Sequence, residues 1–131
     1  DRMRNIGRVA FVAKLLARHG VAVLAAFITP YREMRAHLRR EIGRLVEVYV
    51  RCPLEVCAAR DVKGLYRKAL AGEVPLFTGV SDPYEEPEAP DIVVETHRQG
   101  PEESARAILA WLEERGYIPP EPGAPPAAPC G

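Results

Sequence analysis

The stretch 21–32, VAVLAAFITPYR, carries the clearest structural pattern in the chain. Its first part, residues 21–27, is uncharged and alternates small with branched side chains. Such a run is typical of a strand buried on both faces of a parallel sheet that is covered by helices. Because open α/β sheets bind ligands beyond the carboxyl ends of their strands, Thr29 and Arg32 are the first candidates for chemistry.

The same pattern continues on both sides of this stretch. Apolar runs predict further strands near 45–50 and 91–95, parallel to the first. Helical spacing, with glycine or proline at several of the ends, predicts helices near 2–18, 31–42, 53–60 and 101–115. Alternating strands and helices indicate an α/β fold. The chain is predicted to form one domain over 1–117, followed by a disordered Pro-rich tail over 118–131.

Composition excludes several classes of function. The chain has 131 residues and no net charge, so no overall field attracts nucleic acid or an anionic membrane. Its longest apolar run is far shorter than a membrane span requires. Three cysteines without zinc-like spacing are interpreted as buried, reduced thiols of a cytoplasmic protein, and no metal site is expected.

Three short segments contain candidate binding residues, and two of them have a plainer alternative. Arg2 and Asn5 share one face of the first helix, which could equally be a solvated helix start. The basic segment 60–72 lies around two glycines and predicts either a lid over phosphates or an ordinary solvated helix. The turn-rich segment 77–87 displays Phe77 and Tyr84, as loops that stack on planar ligands do.

Five motifs together resemble the adenylylsulfate kinase family. They are DRxxNI at 1–6, ITPYR at 28–32, CPLEVC at 52–57, RDxKGLYxKA at 60–69 and FTGxxDPYExP at 77–87. The resemblance covers residues 1 to about 117. It implies a P-loop kinase-like parallel sheet with flanking helices, and ATP-dependent phosphorylation of the 3′-hydroxyl of adenosine 5′-phosphosulfate (APS), with Mg²⁺ accompanying ATP, in sulfate assimilation.

The resemblance also assigns roles to particular residues. It implies that the APS-binding residues are Arg2, Asn5, Ile28, Thr29, Arg32 and Phe77. It implies a nucleotide lid formed by Arg60, Lys63, Arg67 and Lys68. Catalytic roles are implied for Thr29, which stands where the family usually has serine, and for Lys63.

One motif of the family is absent from the sequence. No GxxxxGK[ST] loop, whose backbone N–H groups and lysine hold phosphates, occurs in the 131 residues. We therefore expect the amino-terminal strands of the domain to be missing and this chain alone to be inactive. In the family's fold the P-loop strand would lie between strands 21–27 and 45–50. Those two edges should pair with each other, stay open, or recruit another chain.

Three functions remain open at this point. The chain is the APS-binding and lid portion of an adenylylsulfate kinase, a different small-molecule P-loop kinase, or a non-catalytic remnant that binds APS. The expected partners are APS and ATP, without nucleic acid or membrane. A homodimer or a fusion to a sulfurylase is compatible with the resemblance.

Overall fold

A computed structural model describes residues 1–123 of the chain. Five helices are formed: α1 (Arg2–Arg18), α2 (Arg32–Ile42), α3 (Leu54–Arg60), α4 (Leu65–Leu70) and α5 (Pro101–Glu114). The four helices expected from the sequence are confirmed to within a residue at each end. Helix α4 lies inside the segment that was predicted to form a lid. Asp1 caps α1 because its carboxylate accepts a hydrogen bond from the N–H of Arg4 at 3.2 Å.

A parallel pair of strands, β1 (Val48–Arg51) and β2 (Ile92–Glu95), forms the sheet. The register places Val48 beside Ile92 and Arg51 beside Glu95, so both strands end at the same edge. Two predicted strands and their parallel direction are thus confirmed, although β1 is shorter than the 45–50 prediction and begins later. Helices α3 and α4 connect the two strands, as a parallel crossover requires.

The strand predicted at 21–27 is wrong for this structure. Residues 21–30 form neither helix nor strand, and Leu24 is 93% exposed. A strand is held by hydrogen bonds to a neighbouring strand, and no segment within residues 1–123 pairs with this one. The apolar pattern was correctly identified, but burial on two faces needs partners on two sides. The sequence left three outcomes for the facing edges of segments 21–27 and 45–50: pairing with each other, staying open, or recruiting another chain. In the described chain they stay open.

The larger of two groups of buried apolar side chains lies where α1 contacts α2. Ile6, Ala10 and Ala13 form the buried face of α1, and Met34 is the buried apolar residue of α2. A second, smaller group, Ile92 and Val94, faces inward from β2 beside α5. The α1–α2 contact therefore fixes the amino-terminal end of α1 against the start of α2, where the candidate binding residues lie.

Further expectations concerned the carboxyl-terminal tail, the cysteines and membrane spans. Residues 118–123 contain no helix or strand, and residues 124–131, the rest of the predicted tail, lie outside the described residues. The disorder of the tail and the 1–117 domain boundary stay predictions. Cys52 and Cys57 are free but only half-buried, so the predicted burial is wrong for both. None of the described helices has the length and apolar character needed to cross a membrane.

Truncating Met34 tests the α1–α2 core. Met34 is 2% exposed, so Met34→Ala should lower the free energy of unfolding by about 2–5 kcal/mol through lost transfer energy and the cavity left behind. Leu24→Ala, a matched apolar truncation at an exposed position, should change it by less than about 0.5 kcal/mol. Urea unfolding followed by circular dichroism measures both. Equal losses for the two variants would mean that the core lies elsewhere.

Candidate functional site

A cleft of about 140 Å³ lies between the start of α1 and the segment before α2. It is lined by Arg2, Asn5, Ile6, Phe27, Ile28 and Thr78. The structure therefore brings together three residues that the resemblance assigned to APS binding, namely Arg2, Asn5 and Ile28. Phe77, a fourth, precedes Thr78 in the chain. A second and wider depression of about 510 Å³ lies on the other side of Arg2 and includes Tyr31 and Leu76 in its wall.

The guanidinium of Arg2 is held by two acceptors. Its Nη1 donates to, and forms an ion pair with, Oδ2 of Asp82. Its Nη2 donates to the backbone oxygen of Leu76 at 2.6 Å. Asp82 is 9% exposed, whereas the Arg2 side chain is 40% exposed. The cation is thus fixed from its buried side and presents the rest of its guanidinium to the clefts.

The hydroxyl of Tyr31 joins the same carboxylate. It donates to Oδ2 of Asp82 at 2.7 Å. This hydrogen bond, together with the bond and charge of Arg2, lowers the pKa of Asp82 below its usual value, against an opposing effect of burial. The same bond raises the pKa of the Tyr31 hydroxyl above its usual value, and burial adds to the rise. At neutral pH the site therefore contains a charged Asp82 and a neutral Tyr31.

The segment around Phe77 is a compact turn. The backbone oxygen of Phe77 accepts bonds from the N–H groups of Val80, Ser81 and Asp82, and its own N–H donates to Oγ of Ser81 at 2.8 Å. Just before it, Leu76 has a φ of 52°, a left-handed conformation that costs a non-glycine residue about 1–2 kcal/mol. Its carbonyl is the one that Arg2 binds, so the strained residue presents an acceptor to the cation.

The Phe77 ring contacts the helix that was predicted to be a lid. It packs edge-on against the ring of Tyr66 in α4, with centroids 4.9 Å apart. The predicted stacking residue is therefore covered on one side by α4, although it does not line the smaller cleft. Any movement of α4 would change what the ring of Phe77 contacts.

Thr29 and Arg32 lie near the cleft but are occupied by internal contacts. The backbone oxygen of Thr29 accepts a bond from Nη1 of Arg35. Arg32 donates from its N–H to Oε2 of Glu85 at 2.7 Å, and its guanidinium reaches Glu88 at 3.3 Å. The structure thus uses the backbone of both residues to fasten the turn-rich segment, and their side chains do not line the 140 Å³ cleft.

Arg35 is buried, although charged side chains dominate its helix. The charge pattern of α2 is typical of a solvated helix face, but Arg35 is 7% exposed. Its guanidinium donates to the backbone oxygens of Thr29 and Glu85, and its Nε lies 3.9 Å from Glu47. Arg39, one turn later, bonds Glu47 at 3.1 Å and Asp91 at 3.2 Å. These two arginines join α2, the approach to β1 and the segment 85–91.

The four cations that were predicted to form a lid differ in whether other groups already bind them. Arg60 donates to the backbone oxygen of Thr96 at 2.8 Å and so ties the end of α3 to the end of β2. Lys63, Arg67 and Lys68 are exposed and form no ion pair within residues 1–123. Because β1 and β2 end at the same edge, these cations follow in sequence the edge at which open α/β sheets bind ligands.

Asp61 orders the start of α4. Its carboxylate accepts hydrogen bonds from the N–H groups of Tyr66 and Arg67, each at 3.0 Å. Between Asp61 and the helix, the chain turns at Gly64, whose φ is 66°. Burial raises the pKa of Asp61, but the backbone hydrogen bonds of Tyr66 and Arg67 lower it by more, so the net pKa lies below the usual value. Helix α4 is therefore fastened at its start by a charged acceptor.

The sequence did not reveal Asp82, Tyr31 or Arg35 as structural centres of the site. Asp82 and Tyr31 fell inside quoted motifs without a role, and only their contact across 51 residues of chain shows it. The sequence offered one signal for the burial of Arg35. It lies four residues before Arg39, on the apolar side of α2. Within residues 1–123, no cluster of three or more His, Cys, Asp or Glu side chains could hold a metal ion.

The parallel strands with flanking helices, and a cleft lined by one cation together with polar and apolar side chains, place the chain among α/β proteins with a P-loop kinase-like fold. The model of the adenylylsulphate kinase family matches residues 1–95. The chain therefore belongs to the adenylylsulphate kinase family.

Similar proteins agree with this assignment. An adenylyl-sulfate kinase of Halothermothrix orenii is 54% identical over 118 residues, which are 90% of this chain and 64% of that protein. A probable bifunctional SAT/APS kinase of Sorangium cellulosum is 52% identical over 119 residues, which are 91% of this chain and 20% of that protein. The structure of the Mycobacterium tuberculosis APS kinase CysC in complex with AMPPNP and APS superposes with a TM-score of 0.78 at 39% identity, covering 86% of this chain and 67% of that one. The chain thus spans less than two thirds of the curated relatives named here.

Removing the buried guanidinium of Arg35 should destabilise the protein. Arg35→Ala leaves two backbone oxygens without a donor and Glu47 with fewer cations, so we expect a loss of roughly 3 kcal/mol in the free energy of unfolding. Arg40→Ala on the same helix removes an exposed arginine and should cost less than about 0.5 kcal/mol. Denaturant unfolding compares the two. A loss for Arg35→Ala no greater than for Arg40→Ala would contradict the role given to Arg35.

The order of α4 should depend on pH through Asp61. Its folded-state pKa is lowered, so its contribution is complete above the unfolded pKa of about 4 and is lost as pH falls through the lower folded value. We expect the amide proton shifts of Tyr66 and Arg67 to titrate with a midpoint below that of a model aspartate. NMR titration of Asp61→Asn, in which those shifts should stay constant in this range, is the control. A midpoint above the model value would contradict the assignment.

Proposed function

We propose that this chain forms the acceptor-binding side and the lid of an adenylylsulfate kinase. The enzyme would transfer a phosphoryl group from ATP, accompanied by Mg²⁺, to the 3′-hydroxyl of APS, an alcohol acceptor. The observation that carries the proposal is the fixed cation Arg2 in one cleft with Asn5 and Ile28, beside the turn that holds Phe77. The relative solved with AMPPNP and APS supports the choice of substrates.

The proposed acceptor site combines charge with amide and aromatic groups. Arg2 would meet the phosphosulfate, since a planar guanidinium pairs with two oxygens of such a group. Asn5 would add amide donors beside it. Phe77 would stack on the adenine, with Tyr66 at its edge. Ile28 would form part of the wall of the cleft, and the bond of Arg35 to the carbonyl of the adjacent Thr29 would hold that wall in place.

The proposed lid would act on the donor nucleotide. Lys63, Arg67 and Lys68 are exposed cations with no ion-pair partner within the described residues, so phosphates would meet charge that is not already neutralised. Closing such a segment excludes water and adds positive charge where the phosphoryl group passes. Lys63 would contribute directly, whereas Arg60 would hold the lid's base through Thr96.

Thr29 has a less direct part in this proposal. Its carbonyl is bound by Arg35, and its side chain does not line the smaller cleft. Thr29 would therefore act on the acceptor indirectly, by holding the adjacent Ile28 in the wall of the cleft. Arg32, whose guanidinium meets Glu88 at 3.3 Å, would support the same wall of the site.

A second candidate function is APS binding without turnover. The observation that favours it is the absence of GxxxxGK[ST] from all 131 residues. This motif supplies the groups that hold the donor's β- and γ-phosphates, and phosphoryl transfer depends on holding them in line with the acceptor. A P-loop on a further segment of polypeptide would convert this binding unit into a kinase. The similarity to a bifunctional relative makes a longer protein, such as a fusion to a sulfurylase, a reasonable setting.

The two candidates differ in a direct assay. The 131-residue chain alone should bind APS but form no 3′-phosphoadenylyl sulfate from ATP. Adding a GxxxxGK[ST]-containing segment of a relative ahead of residue 1 should produce turnover if the chain is the acceptor and lid side of a kinase. Continued inactivity of that protein, with APS binding retained, would favour the non-catalytic alternative. Turnover by the 131 residues alone would contradict both.

The acceptor assignment is tested by Phe77→Ala. Loss of the ring should weaken APS binding by ~1–3 kcal/mol, the usual contribution of a base–aromatic stack. Phe11→Ala removes an exposed ring on α1 and should leave APS affinity unchanged. Isothermal titration calorimetry of both variants measures the difference. Unchanged affinity in Phe77→Ala would remove that residue from the site.

A further inference from the structure

The carboxylate of Asp82 lies at the centre of the proposed acceptor site without entering its smaller cleft. It binds Arg2 from the first turn of α1 and Tyr31 from the residue before α2. Its own backbone closes the turn that holds Phe77, through the bonds of Asp82 N–H to Phe77 and of Gly79 N–H to Asp82 at 2.7 Å. One buried residue thus joins three segments that are far apart in sequence.

The geometry points to Asp82 as the positioning residue for Arg2 in APS recognition, an inference that rests on the proposed function. Arg2 lies in the walls of both clefts, so its orientation decides where a bound anion would sit. A guanidinium has five N–H donors, and within residues 1–123 Asp82 and Leu76 use one from each terminal nitrogen. The remaining donors are available to a ligand.

Two opposing effects of Asp82 on anion binding must be compared. Its negative charge repels a phosphosulfate and partly neutralises Arg2, which weakens binding. Against this, a free arginine side chain carries about 2 kcal/mol of rotamer entropy that must be lost on binding, and Asp82 has removed much of that freedom beforehand. The Asp82 carboxylate is already paired with Arg2 and bonded by Tyr31, so much of its charge is compensated before an anion binds. The proposed role requires that positioning be the larger effect, and the sign of the affinity change in Asp82→Asn measures this.

Tyr31 makes this arrangement more specific than a simple ion pair. Its hydroxyl occupies the same oxygen of Asp82 as Arg2, so the carboxylate is restrained from two directions. The bond also keeps Asp82 ionised, which preserves the charge that orients Arg2. Tyr31 itself lies in the wall of the wider depression, within reach of a ligand that extends from Arg2 in that direction.

The test measures APS affinity by calorimetry in the 131-residue chain and its variants. Asp82→Asn keeps the size of the side chain but removes its charge, and should weaken APS binding about tenfold, as expected when a hydrogen bond to a charged group is impaired. Tyr31→Phe should weaken binding by a smaller factor. Glu102→Gln, the same acid-to-amide change at an exposed position on α5, should have no effect.

A double-mutant cycle separates positioning from general stability. If Asp82 acts through Arg2, Asp82→Asn should weaken binding in the natural sequence and have no further effect in an Arg2→Met background. A purely structural role would lower the thermal midpoint while leaving the affinity of the folded protein unchanged. Equal or tighter APS binding by Asp82→Asn, or full additivity with Arg2→Met, would overturn the inference.

The experiment also separates this inference from the proposed function. No APS binding by the natural chain would remove the proposed acceptor site, and the role of Asp82 with it. Normal binding by the natural chain, unaffected by Asp82→Asn, would remove only the role of Asp82. If Asp82→Asn does not fold, Tyr31→Phe decides instead: unchanged APS affinity there would contradict the shared positioning of the carboxylate and Arg2.

Discussion

The buried guanidinium of Arg35 is the contact on which the rest of the site depends. It bonds the carbonyl of Thr29 before α2 and that of Glu85 in the turn-rich segment, and it faces Glu47 at the approach to β1. Residues 21–30 have no strand pairing within the described chain, so sheet hydrogen bonds do not hold them. Their carboxyl end is held instead by this cation and by the bond from Glu85 N–H to Pro30 at 2.8 Å. Without those bonds, Ile28 and Thr29 would have no fixed position.

A second buried charge completes the arrangement on the other side of the cleft. Asp82 fixes Arg2 and Tyr31, as Arg35 fixes Thr29 and Glu85. Asp82 connects the segment 77–91 to α1 and to Tyr31 before α2, whereas Arg35 connects the same segment to α2. Buried charges of this kind contribute more to a defined geometry than to net stability. That suits a site in which an anion and an adenine must be placed together.

Much of the fold could be predicted from the sequence, because it depends on local patterns. The bounds of α1 follow from helical spacing between Asp1 and Gly20, and the parallel strands ending at Arg51 and Glu95 follow from apolar runs before Pro53 and Thr96. The strand at 21–27 was wrong because strand formation is not local: it needs a neighbour, and the described residues provide none. Burial of Arg35 was missed for the same reason, since its acceptors, Thr29 and Glu85, are brought together only by the fold. The site residues Arg2, Asn5 and Ile28 were predicted from matched motifs, and they meet in one cleft. The role of Asp82 could not be predicted in this way, because it depends on contacts between residues that are far apart in sequence.

The central claim is that the segment 77–91 is held in place before any ligand binds. Hydrogen–deuterium exchange of the ligand-free protein tests it directly, because the N–H groups of Gly79, Asp82 and Glu85 are all bonded within this arrangement. The account predicts that these three amides exchange far more slowly than the amides of residues 22–27, which have no strand partner within residues 1–123. Exchange of all three at the rate of an unfolded peptide would show that the segment is not held, and would contradict the account.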